Sequence, residues 1–168
     1  MLEQNTDSSS IFYGKVDTDN IGLSGHSQGG AGTFASITET AHKDIYKTAV
    51  ALSPANDELA TALGWIYELE KIDIPVLIFA GTEGDFELQT VIPEEKLYEM
   101  YDKIDAPKIM ARRTGAEHGD MLYQADGYVT AWLMWHLQGD GDAANAFIGD
   151  GPELMRNGLY QDLINDYL

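Results

Sequence analysis

The stretch IGLSGHSQGG (residues 21–30) decides how the rest of the chain is interpreted, because its serine has a glycine two residues to either side. Residues 20–25 predict a short strand, and residues 29–45 predict a helix rich in small side chains. A serine at such a junction is typical of a nucleophile elbow, a sharp turn that holds the hydroxyl above the sheet. We therefore interpret Ser27 as a catalytic nucleophile. The alternative is a glycine-rich turn that contains an incidental serine.

The residues around Ser27 suit this turn. We expect that side chains at Gly25 and Gly29 would clash with neighbouring backbone, because strand and helix approach each other closely there. His26 completes the elbow. The N-terminus of the helix directs N–H groups and positive partial charge toward the serine. The backbone N–H of Gln28 is therefore predicted to stabilise an oxyanion.

Strands and helices alternate along the remainder of the chain. Further strands are predicted at residues 46–55, 73–81 and 107–114. Helices are predicted at 57–72, 93–104, 124–137, 143–147 and 159–167. The alternation indicates an α/β fold, a mostly parallel sheet of about four strands with flanking helices, in one domain over residues 1–168. Ligands of such sheets bind at the C-terminal ends of the strands.

A serine nucleophile needs a base, and the base needs an orienting carboxylate. His118 lies between two glycines on the loop after the strand at 107–114, and we predict that it is the base. Asp85 follows the strand at 73–81 by four residues and is the preferred carboxylate. Glu83 and Glu87 compete with it. Glu83 is expected to be solvated, and Glu87 stands further from the strand end.

The other three histidines fit the role of base less well. His26 is fixed within the elbow, and His42 ends the predicted helix at 29–45. His136 lies inside a predicted helix, where packing is the more common task. Metal ligation is not expected, because His118 and Asp120 have no partner histidine at a spacing typical of metal sites. No cofactor is expected.

Composition limits the partners. The chain has 168 residues, with 28 acidic and 10 basic side chains, and its formal net charge of −18 disfavours binding to nucleic acid or anionic membranes. It contains no cysteine, which excludes disulfides and thiol catalysis. We find neither a signal-peptide pattern nor an apolar run long enough for a membrane span, and we expect a cytoplasmic protein.

From about residue 17 onward, the sequence resembles the α/β-hydrolase family. GHSQGG (25–30) resembles its elbow, PVLIFAGTEGD (75–85) the strand and loop of its acid, and GAEHGD (115–120) its histidine loop. YVTAWLMWHLQGDGDAANAFIG (128–149) resembles the end of polyester-hydrolase-like and dienelactone-hydrolase-like members. The resemblance implies a serine esterase of the lipase type that acts on small-molecule esters, with thioesters, lactones and amides as alternative substrates. The alternative is a catalytically weak or inactive relative that serves as a binding or assembly domain.

In that family, roughly the first half of an eight-stranded domain precedes the nucleophile, whereas 26 residues precede Ser27 here. The resemblance therefore covers the C-terminal part of the fold, and reduced activity is expected because the loop with a second oxyanion donor is missing. The strand at 20–25 is expected to have an open edge. We expect this edge to be covered in a homodimer, the alternatives being a missing N-terminal segment or a degenerate copy of the fold.

Overall fold

A computed structural model describes residues 2–39, 41 and 43–168, so His42 and its predicted place at a helix end lie outside the described residues. The chain forms one five-stranded sheet. Its strands, in chain order, are β1 (Ile21–His26), β2 (Tyr46–Leu52), β3 (Val76–Gly81), β4 (Lys108–Arg113) and β5 (Tyr160–Asn165). The first four are parallel neighbours, and β5 pairs with β4 in the antiparallel direction. The predicted α/β class with a mostly parallel sheet is confirmed, with one strand more than expected.

Eight α-helices accompany the sheet in the described part of the chain. They are α1 (Leu2–Thr6), α2 (Gln28–Thr38), α3 (Asp57–Ala62), α4 (Glu94–Lys103), α5 (Met121–Gln124), α6 (Asp126–Gln138), α7 (Gly141–Ala144) and α8 (Glu153–Arg156). Helices α4 and α6 follow the predicted bounds closely. Single turns of 3₁₀-helix and one π-helix occupy several loops, and two of these turns carry residues of the candidate site.

The core lies in two layers, one on each face of the sheet. Because successive strand residues point to opposite faces, the buried neighbours Leu77 and Ile78 of β3 enter different layers. The layer at Ile78 contains Phe34 of α2 and residues of α4. The layer at Leu77 contains Trp132 of α6, which has no exposed surface. Full burial on both faces explains why β3 is a continuous apolar run.

Two predicted helices are wrong. The helix expected at 57–72 ends at Ala62, because Gly64 adopts a left-handed backbone with φ of 85°. The segment 159–167 contains strand β5 instead of a helix, since the free edge of β4 gives it a partner. Asp162 has φ of 56° at an irregularity of this pairing, and one of its carboxylate oxygens lies 3.4 Å from Nη1 of the buried Arg112.

Strand β1 is the outermost strand of the sheet. Its side chains are partly exposed, whereas every residue of β3 is buried. Among the described residues, no strand pairs with its second edge, which agrees with the expectation of an open edge there. No helix in the described ranges combines the length and the apolar character needed to cross a membrane.

Candidate active site

Ser27 links β1 to α2 in a strained conformation. Its φ of 59° and ψ of −122° are rare for a residue with a side chain and are held by several backbone hydrogen bonds. The Ser27 N–H donates to the carbonyl of Leu52 at the end of β2. The Ser27 carbonyl accepts N–H bonds from Gly30, Ala31 and Ala55. The predicted elbow geometry is therefore present.

The two glycines of the motif differ in their surroundings. A Cβ atom on Gly25 would lie 2.1 Å from the carbonyl oxygen of Gly29, which is impossible without a backbone shift. A Cβ on Gly29 would meet no atom within 4 Å, so the expected clash at that position is wrong. The second close approach is at Gly30, where a Cβ would lie 2.9 Å from Pro54. Gly25 thus allows β1 and α2 to pack together, and Gly30 allows α2 to pack against Pro54 in the loop after β2.

One imidazole ring joins Ser27 to a carboxylate. Nε2 of His118 lies 2.8 Å from Oγ of Ser27, and Nδ1 lies 2.6 Å from Oε2 of Glu87. An ionised carboxylate can only accept, so we assign the proton of the neutral ring to Nδ1. Nε2 then offers its lone pair to the serine hydroxyl. This is the arrangement that a general base requires before it removes the hydroxyl proton.

The carboxylate at His118 is Glu87, and the prediction of Asp85 for this contact is wrong. Asp85 instead accepts a hydrogen bond from the side chain of Gln89 at 2.9 Å. The chain turns at Gly84, with φ of 85°, and then forms a π-helix over Phe86–Val91. This wide turn folds the chain back under the histidine loop, so that Glu87 reaches the ring although it stands further along the sequence. Glu83, the third candidate, forms neither a hydrogen bond nor an ion pair with His118 in the described part of the chain.

Glu87 is fully buried and accepts three hydrogen bonds. Besides the bond from His118, Oε1 accepts a bond of 2.5 Å from Oγ of Ser53 and one of 2.7 Å from the N–H of Gly81. Burial alone raises the pKa of Glu87, but the bonds from His118, Ser53 and Gly81 outweigh it and hold the pKa below its usual range. The carboxylate is therefore ionised and fixed.

Sequence reasoning missed Ser53. This residue follows β2 and has a left-handed φ of 41°, which directs its hydroxyl to Glu87 beneath the site. Ser27, Ser53, Glu87 and His118 all follow the C-terminal ends of parallel strands, where such sheets bind ligands. The sequence signal that could have found it is the dipeptide Ser53-Pro54 within the predicted strand at 46–55, since a polar residue at a strand end is placed where ligands bind.

His26 forms a second link to the histidine loop. Its Nε2 lies 2.8 Å from the main-chain carbonyl oxygen of His118, and the two ring centroids are 4.4 Å apart. A carbonyl can only accept, so Nε2 of His26 carries a proton. Burial lowers the pKa of His26, while the bond to His118 opposes this shift. His26 is therefore neutral near neutral pH.

Helix α2 begins at Gln28, directly after the serine. Among the described residues, the N–H groups of Gln28 and Gly29 donate to no backbone carbonyl, in contrast to those of Gly30 and Ala31. These two groups are the unpaired donors of a helix N-terminus. A groove of about 460 Å³ lies beside them and is lined in part by Leu23 and by Trp65, whose ring packs over Gly32.

The first residue of the π-helix, Phe86, also contacts the ring of His118. Its ring packs edge-on against His118, with centroids 5.1 Å apart, and more than half of its side chain is exposed. No group of three or more His, Asp or Glu side chains suited to a metal ion occurs in the described part of the chain.

Comparison with known proteins adds no relative. A scan against models of protein families gave no match, and a search of curated proteins gave none. The observations that bear on function are therefore the contacts of Ser27, His118 and Glu87.

Proposed function

We propose that this protein is a serine hydrolase that cleaves carboxylic esters through an acyl-enzyme on Ser27. The observation that carries the proposal is the single imidazole of His118, which joins a strained serine to a buried, ionised carboxylate. A structural serine has no need of such a partner, and the strain at Ser27 is of the kind that persists at functional sites.

In the first half of the reaction, Oγ of Ser27 attacks the carbonyl carbon of the ester while Nε2 of His118 takes the hydroxyl proton. The carbonyl oxygen becomes negatively charged. Glu87 keeps the ring oriented and stabilises the imidazolium that forms. When the tetrahedral intermediate collapses, the C–O bond to the alcohol breaks, and the alcohol leaves with the proton from His118.

In the second half, a water molecule takes the place of the alcohol. His118 removes a proton from the water as its oxygen attacks the acyl carbon. The new tetrahedral intermediate then collapses, the acid leaves, and the proton returns to Oγ of Ser27. Atoms balance over the cycle, because one ester and one water give one alcohol and one acid.

The backbone N–H of Gln28 is the proposed donor to the oxyanion. It is unpaired among the described residues, and it stands at the positive end of α2, which has 11 residues. A preorganised donor of this kind is worth about 10²–10³ in rate. The groove next to Gln28 is lined by the aromatic ring of Trp65, which suits an ester with a moderately apolar acyl group.

The remaining expectations on partners belong to the same proposal. We propose a homodimer that pairs through the open edge of β1, and a cytoplasmic location. Light scattering coupled to size-exclusion chromatography tests the first, and fractionation of the source cells tests the second. A monomer over the whole concentration range would reject the homodimer without touching the chemistry of Ser27.

The test of the activity is labelling with a fluorophosphonate probe, which requires an activated serine. We expect the wild type to be labelled and Ser27→Ala and His118→Ala to remain unlabelled, at equal folded content by circular dichroism. Hydrolysis of p-nitrophenyl butyrate should follow the same order. A folded wild type that neither reacts with the probe nor hydrolyses the ester would reject the hydrolase and leave the binding or assembly domain in its place.

A further inference from the structure

His118 is attached to its surroundings at more points than its side chain provides. The ring contacts Ser27 and Glu87, whereas the main-chain carbonyl accepts the Nε2–H of His26 at 2.8 Å. The donor is the residue directly before the nucleophile and closes β1. One short segment of the elbow therefore contacts both the ring and the backbone of the base.

The histidine loop is tied to the loop after β3 through the carbonyl of Ala116, which accepts the N–H groups of Thr82 and Glu83, whereas His26 ties it to β1. His118 begins a single 3₁₀ turn, His118–Asp120, which follows the loop after β4. Within this turn, the side chains of Glu117 and Asp120 each accept a bond from the backbone of the other, which fixes the shape of the turn but not its distance from β1. The bond from His26 is a direct connection across 92 positions of sequence, between the turn and the strand that carries the nucleophile.

From this geometry we infer that His26 is a positioning residue, whose Nε2–H holds the backbone of His118 so that its ring stays in line with Oγ of Ser27. The inference rests on the proposed hydrolysis. The contact of His26 is with the main chain of the base, so we expect its loss to act on the chemical step. Misplacement of a reacting group by about 1 Å can cost on the order of 10²-fold in rate.

Two variants separate the hydrogen bond from the volume of the ring. His26→Phe keeps an aromatic ring and removes the donor. His26→Gln places an amide N–H at nearly the same reach as Nε2 and removes the ring. With p-nitrophenyl butyrate as substrate, we expect His26→Phe to lose about 10- to 100-fold in kcat, with KM within twofold of the wild type. His26→Gln should recover kcat to within about fivefold.

The inference is overturned if His26→Phe keeps the wild-type kcat, or if both variants lose kcat equally while their melting temperatures match the wild type. A readout independent of activity is the tautomer of His26 in the wild type, measured by long-range ¹H–¹⁵N NMR. A proton on Nε2 is expected, and a proton on Nδ1 alone would overturn the inference even in an active enzyme. An inactive wild type with the proton on Nε2 would instead reject the hydrolase and, with it, the role of His26 in catalysis.

Discussion

Nδ1 of His118 lies 2.6 Å from Oε2 of Glu87, and this carboxylate has no exposed surface. Glu87→Gln removes the charge that stabilises the imidazolium and places an amide against three donors. We expect kcat/KM for p-nitrophenyl butyrate to fall on the order of 10²–10⁴-fold, as for the loss of the acid in a serine triad. Steady-state kinetics measures the change.

The matched control for Glu87→Gln is Asp85→Asn. Asp85 is two residues away and contacts Gln89 rather than the histidine, so its replacement should leave kcat/KM within about twofold. Equal losses in the two variants would contradict the assignment of Glu87 as the carboxylate of the site.

Replacing Ser53 should weaken the protein through the buried carboxylate that it contacts. Ser53→Ala leaves Glu87 with one donor fewer, and a bond to a charged group is worth about 1–3 kcal/mol of unfolding free energy. Ser53→Gly is the companion variant. It also removes the donor, but glycine adopts φ of 41° without strain, so the difference between the two variants reports the strain of the backbone. Urea unfolding at pH 7 measures both.

The effect of Ser53→Ala should also depend on pH. Burial raises the pKa of Glu87, but its hydrogen bonds lower the pKa by a larger amount. The pKa is therefore below its usual range in the folded protein. A depressed carboxylate contributes stability above its unfolded pKa and loses it as pH falls through the folded pKa. The difference between wild type and Ser53→Ala should therefore shrink on acidification, and a constant difference would contradict the contact.

Replacement by alanine should lower the unfolding free energy strongly at Gly25 and change it little at Gly29. Gly25→Ala forces a Cβ to within 2.1 Å of a backbone oxygen and should cost at least about 3 kcal/mol of unfolding free energy, or prevent folding. Gly29→Ala meets open space in a helix and should change it by less than about 1 kcal/mol. Chemical denaturation of both variants tests this, and similar losses would contradict the packing at the elbow.

The unfolding free energy should decrease as the pH is lowered, because of His136. Burial lowers the pKa of His136 to about 4, and its Nε2 has no hydrogen-bond partner among the described residues. The unfolded state therefore binds a proton near pH 6.5 that the folded state refuses, so the unfolding free energy drops as pH falls from 6.5 toward 4. Because part of the ring is accessible to water, which screens its charge, we expect a smaller loss by pH 5 than full burial would give.

His136→Phe is the control for that prediction. Phenylalanine can pack against Trp132 and Trp135, whose rings lie 4.2 Å from that of His136 between centroids, and it does not titrate. Its unfolding free energy should change less between pH 7 and pH 5 than that of the wild type. Parallel pH dependences in the two proteins would show that His136 is not the group responsible.

Much of the sheet could be predicted from the sequence, because buried parallel strands are short apolar runs with clear ends. Strand β5 could not. Its irregular pairing at Asp162 breaks the alternation of apolar and polar residues, and only the free edge of β4 decides that the segment is extended. The helix from Asp57 was predicted too long because the left-handed backbone of Gly64 is not visible in its apolar spacing.

The candidate site was predicted in its serine and histidine but not in its acid. Asp85 was preferred because it stands closer than Glu87 to the end of β3 in the sequence, which would decide the contact only if the loop were extended. A π-helix after Gly84 shortens the path and rotates Glu87 inward, where Ser53 and Gly81 hold it. The distance between a side chain and His118 depends on such turns, and a short sequence pattern does not predict a π-helix.

Because β1 lies at the edge of the sheet, its backbone groups that pair with no strand in the described part of the chain are accessible to a further strand. A synthetic peptide that adds to this edge as a sixth strand would pair with the backbone of β1, which ends at His26, directly before Ser27. The homodimer proposed for this edge would use the same backbone groups, so such a peptide and a second copy of the chain would exclude each other at β1.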